Sequence, residues 1–245
     1  MKVIRLLVAT GAVLMASAGV AHANLVLSGG TVAASFTDLG AQGFGAAPRM
    51  LTLQTNTSES GASVPVNQET GDAIDGDNKS STPLLSSLGW TSGANVAVGF
   101  NADQSGNTGI TLQTLTLNVY NASNALVGSF STAAPITFTQ ADLALEQGNG
   151  NSVFKFVLDG AQSAAFTNLI AGGSTGWRAG INSTLGCPAG SPAGCLVSND
   201  GPDTFVGFNN GGPTPPPVPD SGSTLSLLGA VLVGIGIVRR RMGRV

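Results

Sequence analysis

Residues 111–120 read TLQTLTLNVY, and this stretch decides the class of the fold. Leu115, Leu117 and Val119 recur at every second position among threonine and asparagine, the spacing that puts side chains on one face of a β-strand. Leu112 falls on the other phase, which predicts a bulge or register change near Gln113. Asn121, Ala122, Ser123 and Asn124 then turn the chain into residues 125–131, a second strand that completes a hairpin.

Outward from this hairpin the same grammar repeats. Residues 95–100 alternate around Val96, Val98 and Phe100, and residues 50–55 alternate apolar and polar side chains. The latter are expected to pair with residues 62–66 across a loop at 56–61, and Leu25, Val26 and Leu27 form a further short strand. Residues 81–89, STPLLSSLG, read as a short helix: a capping hydroxyl, proline in the first turn and glycine after the last leucine. Trp90 then lands beside it as core. Residues 136–139 continue the sheet, with Thr139 and Asp142 capping a helical turn through Glu146. Residues 153–158, VFKFVL, are the most apolar strand, followed by a helix over 161–170 capped by Asp159 and ended by Gly172 and Gly173. Residues 177–181 and 204–208 supply the last strands. About nine strands with two or three short helices predict an all-β domain over residues 24–208, an antiparallel β-sandwich of jelly-roll-like type.

Both ends carry a different signature. Residues 1–23 have a basic start (Lys2, Arg5), an apolar stretch and the small-residue ending Ala21-His22-Ala23, the pattern of a secretory signal peptide cut before Asn24. Residues 209–217 are rich in glycine and proline and read as a linker in extended form. Residues 218–245 hold a short polar motif, an uncharged apolar run from Leu225 to Val238, and a basic end at Arg239, Arg240, Arg241 and Arg244. The run rises only about 21 Å as a helix against roughly 30 Å of hydrocarbon. Ser223 and Thr224 at one end and snorkelling arginines at the other extend it to a transmembrane helix, with the arginines holding the cytoplasmic side.

This tail resembles the tripartite carboxy-terminal sorting signals of the PEP-CTERM type, in the variant whose motif is Val218-Pro219-Asp220-Ser221-Gly222. The motif, the glycine-rich helix and the basic stop at Arg239, Arg240 and Arg241 stand in that group's order. The resemblance implies export through the secretory translocon and signal peptidase, a precursor held transiently in the inner membrane, and cutting near the motif by an exosortase-like membrane protease. It further implies a final place at the cell surface or in the extracellular matrix of a bacterium that makes exopolysaccharide. It covers the tail alone.

Charge narrows the partners of the remainder. Between Asn24 and Asp220 stand four basic and thirteen acidic residues, a net charge near −9, whereas the whole chain carries −3. Such a surface repels phosphate backbones, so nucleic acid is excluded as an expected partner. The sole histidine, His22, lies in the signal peptide, which removes histidine-dependent triads from a mature chain.

Four candidate features remain. Cys187 and Cys195 bracket a Pro- and Gly-rich loop, and in an exported protein a disulfide is the leading assignment; a zinc site lacks further ligands and a catalytic thiol lacks a base. Asp72, Asp75, Asp77 and Asn78 gather hard oxygen ligands suited to calcium, without the spacing of an EF-hand, and acidic surface turns of this kind also occur without a metal. Trp90, Trp177 and Tyr120 are candidates for stacking on a sugar ring, against a core role for each. Carboxylate pairs such as Asp142 with Glu146, or Asp159 with another, would be needed for a glycoside hydrolase. The expected function is a non-enzymatic, exported structural protein linked to exopolysaccharide, with a carbohydrate-binding or adhesion module as the alternative and a secreted hydrolase third.

Overall fold

The computed structural model describes residues 25–27, 36–38, 47–66, 68–76, 78–104, 108–144, 152–199 and 201–210. The expected signal peptide, the expected transmembrane tail and linker residues 211–217 lie outside them. Among the described residues no helix is long and apolar enough to cross a membrane.

The chain is mostly antiparallel β-structure with a few short helices. Among the described residues twelve strands run in order β1 (Leu25–Leu27), β2 (Phe36–Asp38), β3 (Arg49–Leu53), β4 (Ser58–Ala62), β5 (Thr70–Gly71), β6 (Val96–Asn101), β7 (Ile110–Tyr120), β8 (Leu126–Ser131), β9 (Ile136–Phe138), β10 (Ser152–Leu158), β11 (Arg178–Gly186) and β12 (Asp203–Asn209). They form two six-stranded sheets. The first has the order β1-β10-β6-β12-β3 with β2 also on β10, and the second has β5-β4-β11-β7-β8 with β9 also on β7. At 11 residues, β7 is long enough for β8 to pair with residues 116–120 while β9 pairs with 110–112.

The alternation that defined the central strand is obeyed. Leu115, Leu117 and Val119 are buried, and a single hydrophobic cluster joins them to Leu51, Leu53, Phe100, Phe154, Phe156 and Phe205 from the other sheet. Phe100 stacks on Phe205 with ring centroids 4.8 Å apart, and Phe138 lies 4.5 Å from Phe154, so aromatic faces occupy the space between the sheets. Strands β6 and β12 are buried along almost their whole length, on both faces, polar Asn101, Asp203 and Thr204 included. The register of β7 on β11 shifts between Thr184 and Leu185, whose partners are Thr114 and Leu112, so Gln113 is the extra residue of a bulge.

The helices follow their caps. Thr139 and Asp142 form a capping box on α1 (Gln140–Leu143), and Asp159 accepts from the Gln162 amide at the start of α2 (Gly160–Ile170). Residues of α2 pack Phe166 against Trp90 edge to face, at 6.3 Å between centroids.

Two expectations are corrected. Residues 50–55 and 62–66 do not form a hairpin: β3 pairs with β12 in the first sheet and β4 pairs with β11 in the second, so the connection at Gln54–Thr57 crosses between sheets. Residues 56–61 are accordingly not a loop, because β4 begins at Ser58. Residues 81–89 are not a helix either. Leu84 bridges to Arg178 and the Leu85 amide donates to the Trp177 carbonyl, so the backbone groups a helix would use internally are taken by β11 and its approach. The segment is a run of turns ended by Gly89 at φ +68°, a left-handed position glycine adopts without a Cβ penalty.

Candidate functional site

Turning this segment toward β11 leaves a concavity. An open groove of about 570 Å³ is lined by Ser81, Thr82, Pro83 and Leu84, by Ala122 and Asn124 of the β7–β8 turn, and by Arg178. Arg178 donates one guanidinium bond to the Thr82 carbonyl at 2.8 Å, which fixes the side chain along the groove. Val66 and Asn124 line the rim with φ of 72° and 62°. For a β-branched residue that conformation is an outlier, and Val66 is also 69% exposed.

The aromatic candidates divide around this groove. Trp90 is 1% exposed, its indole N–H donates to the Phe208 carbonyl at 2.8 Å, and Phe166 covers it. It has no face for a sugar, because the ring fills the core beneath α2. Tyr120 is paired with Arg178 across the sheet and buried, and burial pushes its hydroxyl pKa up. Trp177 is half-buried between Gly176 and Arg178, both groove residues, and packs against the core.

At another place along the sheets two acids meet. Glu59 of β4 and Asp203 of β12 are 1% and 0% exposed and hydrogen-bonded to each other. Glu59 accepts from the Thr55 amide at 3.1 Å and the Ser198 hydroxyl at 3.1 Å. Asp203 accepts from the Asp103 amide at 2.9 Å and from the Gln104 side-chain amide at 2.9 and 3.1 Å. Burial raises both carboxyls. Asp203 is driven well above the usual carboxylate range by burial first and then by the adjoining Glu59. Neither residue lines the groove, and neither stood out in the sequence. Glu59 sits in a polar run, and Asp203 follows Gly201-Pro202 like a turn residue.

Two of the acids a glycoside hydrolase would need, Asp142 and Asp159, have other uses. The Asp142 carboxylate accepts from the Thr139 amide and hydroxyl, each at 2.7 Å, and Asp159 caps α2 at 2.7 Å from the Gln162 amide, while Glu146 lies outside the described residues. In the calcium candidate, Asp72 accepts from the Ser60 amide at 2.8 Å and the Asn78 carbonyl accepts from Arg49 at 2.9 Å, which pins both ends of the turn to β3 and β4. Asp75 is exposed and Asp77 lies outside the described residues. Among the described residues no group of three or more His, Cys, Asp or Glu converges on a metal position.

Cys187 and Cys195 are joined in a disulfide with Cα atoms 5.8 Å apart. The loop they close returns to the body through Ser198, whose amide donates to the Thr57 carbonyl and whose hydroxyl donates to Glu59.

The tail supplies the observation that bears most directly on biology. Residues 217–242 match the VPDSG-CTERM motif. The match takes in Val218 to Gly222, the apolar run and Arg239 to Arg241. A VPDSG-CTERM sorting motif implies exosortase-linked processing of a surface or secreted protein. Neither curated proteins nor solved structures yield a match to the chain.

Proposed function

We propose that the chain is an exported bacterial surface or extracellular-matrix protein with a non-enzymatic, structural role linked to exopolysaccharide, cut from an inner-membrane-tethered precursor by an exosortase-like protease. The VPDSG-CTERM match at 217–242 carries this reading. The two antiparallel sheets fit it as a jelly-roll-like sandwich that serves as a passive ectodomain, with translocon and signal peptidase acting at the other end. The recorded acids favour structure over catalysis: Asp142 and Asp159 are spent on caps, and Glu59 and Asp203 are sealed from solvent.

The test replaces Pro219, Asp220 and Ser221 with alanine in a host that has the cognate exosortase. Fractionation and intact mass should show an uncut precursor in the inner membrane, while the wild-type protein loses its tail. Mature wild-type protein that keeps Arg244 and stays in that membrane overturns the proposal.

A carbohydrate-binding or adhesion module delivered by the same route is the second reading, favoured by the groove. Arg178 offers guanidinium donors to ring hydroxyls or acidic substituents, beside the apolar edge of Val66 and close to Trp177 in the chain. On a glycan array, specific binding weakened by Arg178→Ala or Trp177→Ala, at unchanged fold, selects this reading over the first.

A further inference from the structure

An ionised carboxylate has no proton to donate, so two carboxyl groups joined by a hydrogen bond require that one of them hold a proton. Glu59 and Asp203 are so joined, and every other recorded partner of the two is a donor: the Thr55 and Asp103 amides, the Ser198 hydroxyl and the Gln104 side chain. The arrangement is therefore complete with one shared proton: the surrounding donors favour the ionised forms, yet burial outweighs them and both carboxyls stay raised.

Its position gives that proton leverage. Glu59 belongs to the second sheet and Asp203 to the first. Through Ser198 the pair holds the return of the disulfide loop, whose Leu196 amide and carbonyl both bond to Thr111 of β7. Through Asp103 and Gln104 it holds the segment after β6, and the side-chain Oε1 of Gln104 in turn accepts from the Asn199 amide. Four separate stretches of chain thus converge on two carboxyl groups. We infer that Glu59 and Asp203 form a proton-operated clasp, which keeps one edge of the two sheets closed while the shared proton is present and lets residues 102–104 and 196–199 separate when it leaves.

The one charge outside the pair that acts on it is also negative: Asp72, on the turn after β5, repels Glu59, whereas the Asp103 backbone amide favours the ionised form of Asp203. No lysine or arginine figures among the influences on either acid. Burial raises both carboxyls, so the folded state binds the proton more tightly than the unfolded chain does. The stabilisation is present in full below the ordinary carboxylate range and is lost as pH rises through the raised values. Above them, the ratio of open to closed edge grows about tenfold per pH unit for one released proton.

Hydrogen exchange with mass spectrometry on the full chain, corrected for intrinsic exchange chemistry, reads this opening. In the wild type, peptides covering 102–104 and 196–199 should lose protection as pH rises, while peptides from 115–119 keep theirs. Glu59→Gln supplies an amide donor to Asp203 in place of the proton, so its profile should be flat; Asp203→Asn should behave the same way and serves where Glu59→Gln fails to fold. The infrared carboxyl band of the wild type gives an answer that needs no variant to fold. A protonated-carboxyl stretch that persists above the pH at which ordinary carboxyls ionise supports the clasp, and its absence there overturns it. Equal pH profiles in wild type and a folded variant also overturn it.

Discussion

The side-chain amide of Gln113 donates to the carbonyl oxygen of Gly186 at 2.8 Å, and lies 3.2 Å from the Cys195 sulfur. Gln113 is the unpaired residue of the β7 bulge, so the irregularity in the longest strand aims a side chain at the start of the disulfide loop. Gly186 has φ +75°, and a Cβ there would come 2.4 Å from the Thr57 carbonyl oxygen. Bulge, glycine and loop form one mechanical unit.

Gly186→Ala should therefore be costly, since it meets both a left-handed backbone and a backbone oxygen. Destabilisation of at least about 1–3 kcal/mol is expected from the conformation alone. Denaturant unfolding measures it, and a loss within error of zero contradicts the geometry.

Removing the disulfide by Cys187→Ser with Cys195→Ser should lower stability by about 2.5 kcal/mol, the loop-closure contribution for so short a ring. Thiol labelling of the folded, exported wild type without reductant should modify neither cysteine. Labelling of both removes the bond.

Gln162 of α2 is fully buried, and neither polar atom of its side-chain amide has a hydrogen-bond partner among the described residues. Gln162→Leu keeps much of the volume and removes the desolvated amide, so stability should rise by about 1–3 kcal/mol. A fall in the thermal midpoint would show that the amide is satisfied in solution.

Trp90→Phe should cost about 1–3 kcal/mol, because the Phe208 carbonyl loses the indole donor inside the core. Binding to any glycan should be unchanged at equal folded fraction, since Trp90 has no exposed face. A selective loss of glycan affinity at full stability would contradict that placement.

Much of the fold was legible because it is local. The period of two in residues 115–119, the capping hydroxyl of Thr139 and the carboxylate of Asp159 each act within a few residues of themselves, and each appears where the pattern puts it. The out-of-phase Leu112 announced the bulge at Gln113 for the same reason. Pairing was less legible. Residues 50–55 and 58–62 are adjacent strands in sequence that join different sheets, and alternation is identical for either choice of partner. The helix signals in residues 81–89 were real but lost to hydrogen bonds supplied by β11. The Glu59–Asp203 pair left no local signal at all, because it depends on two distant strands arriving at one point.

Among the described residues the sheet edges are divided or short. One border of the first sheet is divided between β1 and β2, three residues each, and the corresponding border of the second between β8, six residues, and β9, three; the opposite borders are β3, five residues, and β5, two. A long flat edge would present a row of open backbone groups on which a neighbouring copy could template itself. Broken edges deny that register. Copies concentrated side by side would then remain separate particles instead of zipping into fibrils, and any cohesion among them would have to come from side chains or from the polymer around them.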